Sequence, residues 1–154
     1  MTLAPVSAAD LAPLATVLRS DRGKRAAYPV VTEPGDSRGR PVFSVAEALP
    51  SAGPTVILTK LERHPHTSQT FVPLTVSRWL VVVAPKLADG NPDIGQLRAF
   101  IAGPGDAVCF HRDVWHAPLV VLDQPAEMAM LMWRADAGDD VVMFDLAAPV
   151  TLDL

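Results

Sequence analysis

All four histidines of this chain fall in two short stretches, Glu62-Arg63-His64-Pro65-His66-Thr67-Ser68-Gln69 and His111-Arg112-Asp113-Val114-Trp115-His116-Ala117-Pro118. Imidazole changes charge near neutral pH, and its neutral ring is the commonest metal ligand among side chains. A carboxylate beside it adds proton-transfer chemistry, because burial can move either pKa toward the working pH. The two stretches lie about fifty residues apart, so any joint chemistry requires the fold to bring them together.

Each stretch adjoins an apolar, strand-like run. Residues two apart on a strand share a face, so Glu62 and His64 project together and Arg63 points away. Gln69 follows a proline-containing turn and can swing back toward the same space. In the second stretch, Gly105-Asp106 starts a strand, and His111 and His116 bracket the turn at its far end. Further strands are expected at Val56–Leu61, Phe71–Leu74, Trp79–Ala84, Leu97–Ile101, Ala107–Phe110, Pro118–Leu122, Met128–Trp133 and Val141–Leu146. Short strands at this regular spacing, with no helical pattern between them, predict a mainly β antiparallel sandwich or small barrel. Trp79–Ala84 is apolar on both faces and needs a second layer, which a partner subunit could supply. Ahead of the strands, Ser7 and Asp10 resemble a capping box, and Leu11, Leu14, Ala15 and Leu18 keep helical spacing. A short N-terminal helix ending near Arg19 is therefore expected. Residues 20–54, rich in Pro, Gly and Arg, read as loop and irregular strand.

At 154 residues the chain is expected to form one domain over residues 1–154, with 1–54 as helix plus irregular cover and 55–146 as the core. Hydrophobic residues make up 49% and charged ones 19%, which argues against disorder. The net charge of -4, without basic clusters, argues against a nucleic-acid or anionic-membrane partner. No stretch approaches the roughly 20 apolar residues of a membrane span, and Met1–Pro5 lacks a signal-peptide pattern. The single cysteine, Cys109, forms no intrachain disulfide and fits a reducing compartment. The expected location is the cytoplasm. Cys109 reads as a buried small hydrophobe.

The spacing resembles the two cupin signatures. Glu62-x-His64, four residues, then Gln69 follows the first, with Val76 at its final glycine. Gly105, five residues, His111-x-Asp113, two residues, then His116 follows the second, with His111 at its proline and Asp113 at its glycine. Within that group, Leu61-Glu62-Arg63-His64-Pro65, Gln69-Thr70-Phe71-Val72-Pro73, Leu97-Arg98-Ala99-Phe100-Ile101 and His111 to Leu119 resemble the ureidoglycolate lyase family, whose members are also known as ureidoglycolate hydrolases. The resemblance covers residues 56 to about 134. It implies a homodimeric cupin, a double-stranded β-helix, that splits ureidoglycolate into glyoxylate and urea in purine and allantoin catabolism. It also implies a divalent metal, with nickel suggested for some members. Residues 28–45 lack the family's Asn-x-Gly segment, Val76-Ser77 replaces a glycine, and Trp133-Arg134-Ala135-Asp136 keeps only the arginine of an Asp-Arg-Gly-Gly segment.

On this resemblance, Glu62 and His116 are the catalytic candidates. His64, His116 and Glu62, with Gln69 as a weak fourth, are the metal candidates. Substrate contacts fall to His64, Gln69, Arg98, His111 and Arg134. Such ligands suit nickel, manganese, iron or zinc, and spacing does not choose among them. The metal and acid/base roles compete, since a metal-bound residue has spent the lone pair a base needs. Blander roles stand beside these. Glu62 could pair with Arg63, Arg98 or Arg112 at a strand end. Arg98 could bind a carboxylate or serve a structural pairing. His111 could end a strand, His66 could face solvent, and Trp115 could pack to fix His116. The alternative function is a non-catalytic or divergent cupin that binds a small 2-oxo or 2-hydroxy acid.

Overall fold

Alternation of apolar and polar residues carries most of the chain into strands, and prolines and tight turns end them. The computed structural model describes residues 3–21, 23–28, 39–134 and 140–154. In chain order the strands are β1 (Ala4–Pro5), β2 (Ala15–Leu18), β3 (Arg40–Ala48), β4 (Thr55–Arg63), β5 (Gln69–Pro73) and β6 (Arg78–Ala84). They continue with β7 (Arg98–Ala102), β8 (Ala107–Phe110), β9 (Trp115–His116), β10 (Val121–Leu122), β11 (Ala126–Arg134) and β12 (Val142–Asp153). One sheet runs β1-β7-β6-β9-β4-β12, with β10 added to β6; the other runs β2-β8-β5-β11-β3. The result is a mainly β, cupin-like sandwich whose sheets do not close into a barrel.

The layer between the sheets is apolar. Trp79, Val81 and Val83 from one sheet meet Phe71, Val108 and Phe110 from the other. Phe71 lies edge-on to Phe110, with ring centroids 5.9 Å apart, and 6.0 Å from Trp79. The alternate residues of β6, Leu80, Val82 and Ala84, enter a second cluster with Leu58, Leu61, Trp115 and Leu152. Both faces of the Trp79–Ala84 run are thus covered by this chain, and no partner subunit is needed there.

Three elements differ from the expectation. The helix spans only Ala8–Leu11 (α1); Ser7 caps it by accepting from the Asp10 amide at 3.2 Å. Pro13 has no amide to continue the helix and pushes Ala12 out of the helical region. Beyond it, Ala15 and Val17 face inward as strand β2, paired with β8. Second, residues 40–48 form a full nine-residue strand along β11 rather than irregular cover. Third, β12 continues past Leu146 to Asp153, with a register shift between Asp145 and Val150 that accommodates Pro149. Residues 29–38 and Ala135-Asp136, where the chain departs from the family pattern, lie outside the described residues.

Candidate active site

Glu62 is the next-to-last residue of β4 and stands directly across from His116 on β9. Cross-strand partners share a face. The row Arg98, Val83, His116, Glu62 and Met143 therefore points to one side of the larger sheet. From the facing sheet, Gln69 begins β5 between Phe110 and Met132. His64 follows directly after β4. One end of the sandwich thus collects Glu62, His64, Gln69 and His116.

The two imidazoles are buried, at 3% and 1% exposure, which leaves their nitrogens dependent on protein partners. His116 stacks flat on Phe110, with centroids 4.3 Å apart, and its ring lies 5.4 Å from that of His64. Nδ1 of His116 donates to the Val114 carbonyl at 2.9 Å, and Nδ1 of His64 donates to the Asp140 carbonyl at 2.7 Å. A carbonyl oxygen only accepts, so each Nδ1 carries a proton and each neutral ring offers Nε2 as a lone pair. This outer hydrogen bond to a carbonyl is the arrangement that orients metal-binding histidines.

Nε2 of His64 is buried and has no hydrogen-bond partner among the described residues. Nε2 of His116 lies 3.6 Å from Glu62 Oε1 and 3.0 Å from Gln69 Oε1. Two lone pairs do not rest 3.0 Å apart unshared: a proton on Nε2, a turned amide or a cation satisfies the contact. One ligand atom each from Glu62, His64 and His116 can be chosen so that all lie within 4.8 Å of one another. The orphaned nitrogen, the two fixed tautomers and the carboxylate fit a divalent cation. A metal site is therefore compatible with these three residues, and Gln69 Oε1 borders it.

Burial resists ionisation of Glu62, but the pull of His116, then of His64 and Lys60, outweighs it and lowers its pKa below 4.5. Burial, reinforced by repulsion from His116, lowers His64 below 6.5 against the raising effects of the Asp140 carbonyl, Glu62 and Asp140. Both shifts act in one direction on acidification. Below about pH 6.5 the unfolded chain protonates His64 more readily than the folded one, so stability falls. Stability that Glu62 contributes above 4.5 is then lost as pH drops through its lowered value. Metal-free protein is expected to lose thermal stability in these two windows, and His64→Gln should flatten the upper one. A melting temperature unchanged between about pH 7 and about pH 5 would contradict this account of His64.

Asp140 is a site-supporting residue that the sequence patterns do not single out. It is a buried carboxylate, 6% exposed, so its bonds are shielded from water. Oδ1 accepts from the His66 amide at 2.9 Å and Oδ2 accepts from the Thr67 hydroxyl, while its backbone carbonyl holds His64. It fastens the loop that carries His64 and leads into Gln69. Asp140→Ala is expected to cost about 2–4 kcal/mol, for two bonds to a buried charged acceptor. Urea denaturation checks this; a loss under about 1 kcal/mol would show the loop is held otherwise.

Asp113 is a second such device. It occupies the position where the second cupin signature has glycine, and its φ of 65° is the left-handed conformation that favours glycine. Its amide donates to the His64 carbonyl at 2.8 Å. Arg63 and Lys86 bind its two carboxylate oxygens. Arg63 also lies over the Trp115 ring at 5.1 Å, so this network joins the His64 end of β4 to the residue before His116.

The remaining candidates lie outside this cluster of four side chains. Nε2 of His111 is 2.7 Å from the Thr16 hydroxyl and its amide bonds to Leu14, which ties it to β2. Arg98 donates to the Asp10 carbonyl and borders a cavity lined by Ala12, Pro13, Pro85 and Gln96. Arg134 is exposed at the end of β11, two residues beyond Met132 on the same face. His66 is exposed, Cys109 is buried, and Val76 packs into the layer between the sheets.

A family model described as ureidoglycolate lyase matches residues 1–153. The chain is similar to a protein of Agrobacterium fabrum named "Putative ureidoglycolate lyase", 38% identical over 114 residues, which is 74% of this chain and 70% of that one. It is also similar to a ureidoglycolate lyase of Burkholderia cepacia, 45% identical over 94 residues, covering 60% of this chain and 51% of that one. A ureidoglycolate lyase of Salmonella paratyphi B is 44% identical over 80 residues, covering 52% and 48% respectively. The chain spans about half the length of the latter two relatives. No helix among the described residues is long and apolar enough to cross a membrane.

Proposed function

The chain belongs to the ureidoglycolate lyase family, and from that premise we propose that it splits ureidoglycolate into glyoxylate and urea at Glu62 and His116. The observation that carries this reading is the meeting of Glu62, His64 and His116 at one end of the sandwich. In the reaction the hydroxyl proton leaves, the carbonyl of glyoxylate forms, the carbon–nitrogen bond breaks, and the urea nitrogen gains a proton. The proton that departs and the proton required are equal in number, so a single carried proton suffices and no water is consumed.

Glu62 is the base. Its pKa is lowered, so it is ionised at neutral pH and ready to accept the hydroxyl proton at Oε1. His116 Nε2, 3.6 Å from that oxygen, returns the proton to the urea nitrogen. The stacked Phe110 ring and the Val114 carbonyl hold His116 in the orientation this transfer needs. Gln69 offers an amide to the substrate hydroxyl or ureido group, and Arg134 faces the carboxylate. His64, Glu62 and His116 would hold a divalent cation, nickel by family resemblance, with manganese, iron and zinc as the alternatives. When bound, such a cation supplies positive charge that favours the alkoxide and the carboxylate. A cation held at Glu62 and His116 Nε2 would occupy the lone pairs that proton transfer uses, so the acid/base roles fall to whichever atoms of the pair the cation leaves free.

The protein is read as one domain acting as a homodimer in the cytoplasm. Phe43 and Val45, 67% and 53% exposed on the outer face of the smaller sheet, support a second copy as the cover of that face. The test of function is glyoxylate release from ureidoglycolate, followed by a coupled assay with nickel, manganese, iron and zinc each supplied in turn. Release with one of them supports the reading, and none with any of them overturns it.

A further inference from the structure

Strands β3 and β11 pair in unbroken register from Ala48 and Ala126 to Arg40 and Arg134. The final pair sets two guanidinium side chains directly opposite one another. Like charges in that relation are destabilising unless an anion answers them. Among the described residues, neither arginine forms an ion pair. Both are exposed at the strand ends.

Their direction follows from the pleat, in which side chains two apart share a face. Arg134 lies two residues beyond Met132, and Arg40 two beyond Val42, its partner in register. The Met132 sulfur lies 3.9 Å from the Gln69 amide nitrogen, and Gln69 Oε1 contacts His116. Both arginines therefore leave the sheet on the side that carries the site. Each stands about 7 Å further along the strand than Met132 and Val42. The arginine stem is of similar length, so a stem turned back along the strand can carry either head to the rim beside Gln69.

We propose that Arg40 and Arg134 form a two-guanidinium carboxylate clamp at this rim, which selects small 2-hydroxy and 2-oxo acids over their neutral analogues. This rests on the lyase reading for its choice of acid, but the clamp is a binding property and can be tested without turnover. A carboxylate between the two heads takes a bidentate pair of bonds from one and a further bond from the other, and it removes their mutual repulsion. The register supplies the pairing, and the exposure of both strand ends supplies the access. Arg98, held by the Asp10 carbonyl, is already engaged.

The experiment compares wild type with Arg40→Gln, Arg40→Lys and Arg134→Gln. It measures calorimetric affinity for oxalate, a stable dicarboxylate probe, and the KM and kcat for glyoxylate release. Melting temperatures within a few degrees of wild type confirm folding. Arg40→Gln should weaken oxalate about tenfold or more and raise KM similarly, with kcat changed far less. Arg40→Lys should fall between, and the losses should shrink in high salt. Oxalate affinity within twofold of wild type in both glutamine variants overturns the clamp. Absent turnover in wild type would sink the lyase reading alone, because the oxalate arm still decides the clamp. Failure of wild type to bind oxalate overturns the clamp as well.

Discussion

Glu62→Gln is expected to lower kcat for glyoxylate release by roughly two to four orders of magnitude, the usual range for loss of a positioned general base. Glutamine keeps the shape and one oxygen but cannot take up the hydroxyl proton at neutral pH. The substitution is also structurally mild. The Glu62 side chain is 16% exposed, and its approach to His116, at 3.6 Å, lies outside normal hydrogen-bond range. Urea and thermal denaturation should therefore show only the modest loss of the stability that the ionised carboxylate contributes, while turnover collapses. The pH profile adds a readout that a packing defect would not move. The acid limb of kcat/KM in wild type should reflect a carboxylate held below 4.5 and should vanish in the variant. If kcat falls less than tenfold with the acid limb intact, the proton acceptor is another group.

The part of the site readable from residue types is the part built by strand periodicity. Glu62 and His64 share a face because they are two apart, and His116 arrives opposite Glu62 because β9 pairs with β4. Gln69 swings back after its turn on the opposing sheet, so the site closes across the gap between layers. His111 fits the signature spacing equally well, yet that spacing carries no information about which way a turn residue faces. It faces Thr16.

Other differences have the same origin, a local pattern compatible with two structures. Leu11, Leu14, Ala15 and Leu18 satisfy helical spacing, while Ala15 and Val17 also satisfy strand alternation. Pro13 and the pairing with β8 decide between them. Pro41 and the charged ends of β3 conceal an edge strand whose stability comes from its nine cross-strand partners on β11. Asp140 leaves no signal at all. It acts through a backbone carbonyl and through bonds to a loop more than seventy residues earlier, a relation that neither composition nor periodicity encodes. Asp113 does leave one. An aspartate where a signature demands glycine points to a left-handed residue that needs side-chain partners, and Arg63 and Lys86 are those partners.

If Glu62, His64 and His116 hold a divalent cation, removal of His64 should weaken that binding most. His64→Ala is expected to weaken binding by about a hundredfold or more, since losing even an outer partner of a ligand costs 10–100-fold. The effect rests on one nitrogen. Nδ1 is committed to the Asp140 carbonyl, so the proton stays there and Nε2 keeps its lone pair. That lone pair is buried without a partner among the described residues, a condition proteins seldom leave unrelieved. Burial also holds the ring below its ordinary pKa of 6.5, so it remains neutral, the only form in which it binds metal, at neutral pH. Calorimetric titration with nickel and zinc measures the effect. In wild type, affinity should fall as pH drops through the lowered pKa of His64, with protons released on binding in that same acid window. His66→Ala, which alters an exposed ring on the same loop, should bind as wild type does. Equal affinity in wild type and His64→Ala would leave the orphaned nitrogen unexplained by metal. It would return the site to proton transfer by Glu62 and His116 alone.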